Sequence, residues 1–174
     1  MNLIFSQALG SVALIFVCIG YFTKEKSRFL IFQLVSNIFY ASSFLFAGAW
    51  VGCLTILIST LRCTFLYIAE THMVKHTLCY LFIFIFCYIL VGLLFWDTPL
   101  DLIPIICAVI FTLSFYIKNL QTMRYCLILP NLLFVIYNLF CFTFANALLD
   151  SIEVIAIIIS IIKYNKNIYA NRIN

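Results

Sequence analysis

The sequence predicts an all-α polytopic membrane protein in which seven transmembrane helices form two three-helix units joined by one linking helix. Three observations predict this fold: an apolar composition, seven long apolar runs, and a similarity between the two halves of the chain. Of the 174 residues, 66% are apolar and only 9% are charged, whereas soluble domains are roughly a quarter charged. Seven crossings of about 20 residues each would occupy most of the chain. This leaves no room for a separate soluble domain or a nucleic-acid-binding domain.

Seven apolar runs predict the transmembrane helices. None of them alternates with a period of two, as strands of a membrane barrel would, and in lipid a helix satisfies its own backbone hydrogen bonds. Within a single transmembrane domain covering 1–174, we expect 3–70 to form the first unit, 77–96 the linking helix and 102–166 the second unit. The runs cover 3–22, 29–49, 51–69, 77–95, 102–117, 125–147 and 148–164.

The basic residues predict the orientation of the chain in the membrane. Nine of the ten Lys and Arg residues follow the first, third, fifth and seventh runs, and the tenth, Arg62, lies inside the third run. The other connections carry only Asp97, Asp101 and Asp150 as charges. Because cytoplasmic loops are enriched in Lys and Arg, the N-terminus is expected outside and the C-terminus in the cytoplasm.

The two halves of the chain resemble each other. A shift of 95 residues aligns the first run with the fifth, and a shift of 98 aligns the second with the sixth, which pairs Gly48 with Asn146. Both residue types tolerate the left-handed conformation that closes a helix, so each is expected to end its helix. A single linking helix keeps the two units in the same orientation, as in the SWEET transporters, where a polar cleft between the units opens alternately to each side.

Polar side chains within the apolar runs are the candidate substrate-binding residues. Such groups are costly in hydrocarbon, so they indicate either a water-filled cavity or hydrogen bonds between neighbouring helices. Carboxamides offer donors and acceptors that suit a neutral polar solute. At a shift of 98, Gln33 corresponds to Asn131 and Tyr40 to Asn138. The candidate set comprises Gln33, Asn37, Tyr40, Ser59, Arg62, Asn131 and Asn138.

The charged residues and prolines of the runs give further expectations. Arg62 is expected to snorkel to the cytoplasmic end, with an anion contact as the alternative. Glu153 follows Asp150 by one turn and is expected at the interface, in the first turn of the last helix. With no acid at the centre, facilitated diffusion is favoured over proton coupling. Pro104 and Pro130 are candidate hinges, although Pro104 also suits a helix start.

No pattern in the sequence indicates catalysis, a cofactor or a metal. The eight cysteines include no Cys-x-x-Cys pair and are expected to act as small apolar residues. His72 and His76 are four residues apart, which could hold a metal, but a solvated loop is favoured. Hydrolase, metalloprotease and phosphate-loop motifs are absent from the sequence, so an enzyme is not expected.

In the order and spacing of several short motifs, the chain resembles the YgjV-type bacterial inner-membrane proteins. That resemblance implies a multi-pass protein of the bacterial cytoplasmic membrane and implies no activity. In the YgjV pattern an Asn often stands at the position of Ser59. The matching residues are Gln7-x-x-Gly10-x-x-Ala13, Arg28-Phe29, Gln33, Arg62, Leu102-x-Pro104, Thr122-Met123-Arg124, Asn138 and Glu153.

Two functional hypotheses follow from the sequence. The leading one is a facilitator that moves a small neutral polar solute through a site between the two units. The second is a membrane-embedded interaction or assembly protein whose polar residues only join helices. The lipid bilayer is the expected partner in both, a small polar solute is expected only in the first, and formation of a homo-oligomer stays open.

Overall fold

A computed structural model describes residues 2–47, 50–72, 77–95, 102–140 and 144–173 of the chain. All regular secondary structure in these ranges is helical, which confirms the all-α prediction. The helices are α1 (Asn2–Tyr21), α2 (Lys26–Ala47), α3 (Trp50–His72), α4 (Thr77–Leu94), α5 (Leu102–Tyr116), α6 (Leu120–Phe140) and α7 (Phe144–Ile173).

Several helices are suited to lipid. By length and composition, the stretches Lys26–Phe46, Cys53–His72 and Leu120–Tyr137 can each cross a membrane, and three shorter apolar helices accompany them. Large apolar side chains point away from the bundle, among them Phe82 and Leu94, each about two-thirds exposed. An apolar exterior of this extent would be unfavourable in water and is the expected surface of a protein in a bilayer.

The break between the last two helices differs from the prediction. Helix α6 ends at Phe140 and α7 begins at Phe144, whereas the apolar runs placed this break between 147 and 148. Asn146 therefore lies inside α7 and does not end α6, so that prediction is wrong; Gly48 lies outside the described residues. The apolar composition continues through the break and so could not locate it. As a result, every later residue of α7 sits about one turn further from the helix start than expected.

Successive helices run in opposite directions, and one end of the bundle is fixed by contacts between helix termini. Lys26 at the start of α2 pairs with Glu70 near the end of α3, with 3.4 Å between Nζ and Oε2. Arg124, in the second turn of α6, donates to the backbone carbonyl of Thr23, just after α1. We call this the basic end, because its loops 22–25 and 117–119 contain Lys24 and Lys118.

Local sequence explains how α6 begins at the basic end. The Asn119 side chain accepts hydrogen bonds from the backbone amides of Gln121 and Thr122, at 2.9 and 3.3 Å. This is an N-cap, which satisfies two of the amides that a helix start leaves without a partner. It places the start of α6 at Leu120, five residues before the apolar run begins.

The buried core lies in the half of the bundle next to the basic end, which we call the basic half. A single apolar cluster joins six helices of the two predicted units there, and aromatic contacts such as Phe29 with Phe115, 5.7 Å between ring centroids, cross from one predicted unit to the other. In the opposite half, no described side chain of α2 after Asn37, of α3 before Arg62 or of α6 after Asn131 is buried. The cluster comprises Val17, Tyr21, Phe29, Leu30, Cys63, Leu66, Phe115, Met123, Leu127, Ala156, Ile157 and Ile161.

Candidate functional site

Four buried polar residues lie where the basic half gives way to the opposite half. Asn37, Asn131 and Arg62 are 11 residues after the start of α2, 11 after the start of α6 and 10 before the end of α3. At about 1.5 Å of rise per residue, each is about 15 Å from the basic end, which is the middle of a hydrocarbon core about 30 Å thick. With Glu153 of α7 they form a set that we call the polar layer. All four are at most 9% exposed.

Glu153 is buried and contacts two helices of the first unit. The hydroxyls of Tyr40 on α2 and Tyr21 on α1 donate to its two carboxylate oxygens, at 3.2 and 3.5 Å. The expectation of an interfacial Glu153 is therefore wrong. The physical reason is the earlier start of α7, which places this residue nine positions after Phe144, about 13 Å along the helix.

The directions of the two tyrosines place the carboxyl at mid-depth. Side chains on a helix lean towards its N-terminus. Tyr21 ends α1 at the basic end and leans away from that end, whereas Tyr40 lies 14 residues into α2 and leans back towards it. Their hydroxyls meet at Glu153, between the two levels. The premise that no acid lies near the centre is therefore overturned.

Glu153 has no basic partner in the described part of the chain. The two ion pairs found there, Lys26 with Glu70 and Arg28 with Glu25, lie at the basic end. The Asn131 side chain lies close enough to the Tyr21 hydroxyl to interact with it. Apart from Asp150, one turn earlier on α7, the described groups around the carboxyl are uncharged hydrogen-bonding groups.

Arg62 does not snorkel to the basic end. Its side chain is 3% exposed, and Nη1 donates to Thr112 Oγ1 of α5 at 2.7 Å. The guanidinium group lies over the rings of Phe115 and Tyr88, at 4.7 and 5.8 Å from their centroids. The snorkelling expectation is wrong because α3 continues to His72, ten residues beyond Arg62, and because the neighbouring unit supplies an acceptor and an aromatic face.

The two buried amides have different partners. Asn37 donates to Cys63 Sγ on α3 at 3.8 Å and accepts from Gln33 Nε2 at 3.4 Å. Asn131 donates to the backbone carbonyl of Leu127, one turn earlier in its own helix, at 2.7 Å. Asn37 therefore joins two helices, whereas Asn131 bonds within its own helix and faces the Tyr21 hydroxyl of α1.

The remaining residues predicted for the site or as hinges do not belong to the polar layer. Ser59 is hydrogen-bonded to the Tyr88 hydroxyl of the linking helix, at 2.7 Å. The side chain of Asn138 lies outside the described residues. Pro104 occupies the first turn of α5, where the missing amide costs nothing, so it starts a helix. Pro130 is buried inside α6, and its carbonyl accepts a contact from Cys107 Sγ at 3.5 Å.

The described residues do not contain a metal site. No group of three or more His, Cys, Asp or Glu side chains within them could hold an ion, and His76 lies outside the described ranges. The two best-formed surface grooves in the described part of the chain are lined by residues of α5 and α6 around Leu113 and by the loop around Thr23. Neither groove includes a residue of the polar layer.

Sequence reasoning missed Tyr21 and Thr112 and misplaced Glu153. A helical signal for Glu153 was present, because Ile157 and Ser160, four and seven residues later, occupy the same face of α7 and are both fully buried. An ionisable residue within a transmembrane segment is by default a functional candidate. Tyr21 and Thr112 carried no comparable signal, since their roles depend on residues 132 and 50 positions away.

Comparison with curated proteins and with solved structures gave no significant match. A family of bacterial inner membrane proteins does match, over residues 4–168, a range that includes every residue of the polar layer. The chain therefore belongs to the Imp-YgjV family of bacterial inner membrane proteins.

Proposed function

We propose that this protein transports a small polar solute across the inner membrane by opening the two halves of the bundle in turn. The observation that carries the proposal is the polar layer, which lies at mid-depth between a closed half and a half in which no described side chain of α2, α3 or α6 is buried. A transport site needs this placement, because solute must reach it from one side while the other side is shut.

A repeat of 94 residues supports two equivalent three-helix units, 3–70 and 102–166, around the linking helix 77–96. Helices α2 and α6 begin at Lys26 and Leu120, and α3 and α7 at Trp50 and Phe144, each 94 residues apart. Buried positions recur at the same shift, including the pairs Phe29 and Met123, Ser36 and Pro130, Asn37 and Asn131, Arg62 and Ala156, and Cys63 and Ile157.

The repeat pairs Asn37 with Asn131, instead of Gln33 with Asn131 as the 98-residue shift predicts. Contacts between the proposed units follow the same symmetry, since α1 packs on α7 and α3 on α5. Two parallel units related in this way are the architecture in which alternating access works as a rocking of one unit against the other.

Bonds at the basic end provide a closed gate for this cycle. Arg124 of the second unit is fully buried and donates to the Thr23 carbonyl in the first unit. Lys163 on α7 lies over the Phe22 ring, 5.7 Å from its centroid. Both contacts join one unit to the other, so a rocking motion that opens the basic end must break them.

The polar layer suggests the class of solute. Two amides and a guanidinium group offer several donors and few fixed charges, which suits a polar, uncharged solute or one with a single negative group. The role is non-catalytic. Facilitated diffusion without proton coupling was favoured because no acidic residue was expected at the centre of the membrane. Glu153 lies at mid-depth, so that reason no longer holds.

The test is counterflow of labelled sugars, polyols, amides and nucleosides in proteoliposomes. We expect exchange of at least one class by the wild type and loss of that exchange in Asn37→Leu, which removes the buried amide while leaving a residue favoured in lipid. The matched control is Gln7→Leu on α1, because Gln7 is exposed and outside the polar layer. Exchange that is equal in both variants, or absent from the wild type across the panel, would contradict the proposal.

A membrane interaction or assembly protein is the second candidate. It is favoured by the hydrogen bonds that already link the polar residues to other helices, such as Ser59 to Tyr88 and Arg62 to Thr112. In that case Asn37→Leu should lower the thermal unfolding midpoint in detergent, and the wild type should move no solute.

A further inference from the structure

Glu153 carries a buried carboxyl group, and binding of a polar solute does not by itself explain why an acid is present there. Its carboxyl faces two tyrosine hydroxyls, from α1 and from α2, although those residues are 132 and 113 positions away in the chain. An ionised carboxylate is costly to bury unless it is paired. The described residues supply no base for that pairing, so the fixed environment does not hold the group permanently ionised.

The groups around Glu153 also do not hold it permanently protonated. Both hydroxyls can donate hydrogen bonds to a carboxylate, which lowers the cost of the ionised form. Helix α1 contributes Cys18 as a second titratable group nearby, α7 contributes Asp150 one turn earlier, and α6 contributes the uncharged Asn131. The site is thus built from groups that can accommodate a change of charge.

The position of Glu153 connects it to both halves of the bundle. It bridges α7 of the second unit to α1 and α2 of the first, so a rocking motion of the units changes its contacts. On the side of the basic end it adjoins the apolar cluster, through Tyr21 and Ile157. On the other side lie the parts of α2 and α6 in which none of the side chains that the structure describes is buried.

We propose that Glu153 binds and releases a proton as the two halves open in turn, so that a proton moves with the solute. A proton passes from water on the open side to a carboxylate oxygen of Glu153. The bundle then closes on that side and opens on the other while the carboxyl is neutral, so no charge has to be buried during the change. The same proton leaves to water when the basic end opens. One proton enters and one leaves in each cycle. This inference rests on the proposed transport function.

Infrared difference spectroscopy of the purified protein tests the proton site without any solute. We expect a pH titration of the wild type to replace a carboxylic acid band by carboxylate bands. The corresponding change should be lost in Glu153→Gln, whose amide oxygen can accept from one tyrosine hydroxyl while its NH2 group donates to the other. It should persist in Asp150→Asn and in Glu25→Gln, which alters an exposed acid at the basic end.

A second variant keeps the test decisive if Glu153→Gln fails to fold. Tyr40→Phe removes one donor to the carboxyl and should shift the frequency of the titrating band. A titration that is unchanged by both variants would overturn the proposal. So would a spectral change that follows sodium at constant pH, because it would indicate a cation site.

Transport in proteoliposomes tests the coupling. An imposed acid gradient should accelerate solute uptake by the wild type and by Glu25→Gln, and the response should be lost in Glu153→Gln. Solute exchange without any response to the gradient would overturn coupling and leave the proposed function standing. Failure to move any solute, with or without a gradient, would contradict the proposed function itself.

Discussion

The basic half and the opposite half of the bundle are built from the same six helices but packed in different ways. In the basic half the side chains of both units interlock, and fully buried residues such as Phe29, Met123 and Ile157 come from α2, α6 and α7. In the opposite half, burial on α1 comes from contacts within the first unit, such as Ser6 with Ser43. The difference shows that helices α1 to α3 are joined to α5 to α7 mainly in the basic half, and that the polar layer lies where this packing ends.

The two halves also treat polar groups differently. At the basic end, cations have nearby partners, as in the 2.8 Å pair between Arg28 Nε and Glu25 Oε2. At the polar layer, no opposite charge is found among the described contacts of Arg62, which are Thr112 and two aromatic rings, or of Glu153, which accepts from two tyrosine hydroxyls. An ionisable group that is buried without an opposite charge costs free energy, which makes Arg62 and Glu153 candidates for a functional role.

The largest expected effect is an all-or-none difference in labelling between the two ends. In a cysteine-free background, a membrane-impermeant thiol reagent should label Thr98→Cys, in the connection before α5, on intact cells. It should label Lys118→Cys, in the exposed loop at the basic end, only after the cells are made permeable. The positive-inside rule gives this direction, and the reverse pattern would place the closed half outside.

A large difference in stability is expected between two phenylalanine truncations. Phe29→Ala removes a fully buried ring from the basic half and should lower the free energy of unfolding by about 3 to 5 kcal/mol. Phe140→Ala, at the end of α6, removes a ring that is 63% exposed and should change it little. Denaturant titration in detergent measures both, and equal losses would show that the two halves are packed alike.

A smaller effect is expected from weakening the gate at the basic end. Arg124→Met removes a charged donor to the Thr23 carbonyl, a type of bond that contributes about 1.5 to 3 kcal/mol. If that energy keeps the basic half closed, a water-soluble reagent should modify the buried thiol of Cys63 at least about ten times faster in this variant than in the wild type. Arg28→Met, which alters an exposed pair at the same end, is the control and should leave the rate unchanged.

The smallest effect is expected within the first unit of the opposite half. Ser43→Ala removes the hydrogen bond from Oγ to the Ser6 carbonyl, 2.7 Å long, and hydrogen bonds of this kind between membrane helices average about 0.6 kcal/mol. The thermal unfolding midpoint should therefore fall slightly, and Cys63 reactivity should not change. A loss as large as that of Phe29→Ala would indicate that this contact supports the junction between the units.

The sequence by itself determined the helical class, the seven helices and the end of the bundle where basic residues gather. These features depend on composition along each segment, because lipid requires a continuous run of apolar residues and a self-satisfied backbone. It also identified Asn37 and Asn131 as polar residues at depth, since a polar side chain in an apolar run is visible without any knowledge of its neighbours.

Only the tertiary structure decided where α7 begins, and with it the depth of Glu153, because the apolar run continues across the break between Phe140 and Phe144. It also decided the partners of the polar layer, such as Thr112 for Arg62 and Tyr21 for Glu153. Apolarity separates lipid from water but does not specify which helix faces which. That choice depends on shape and hydrogen-bond geometry between residues far apart in the chain, which no local pattern encodes.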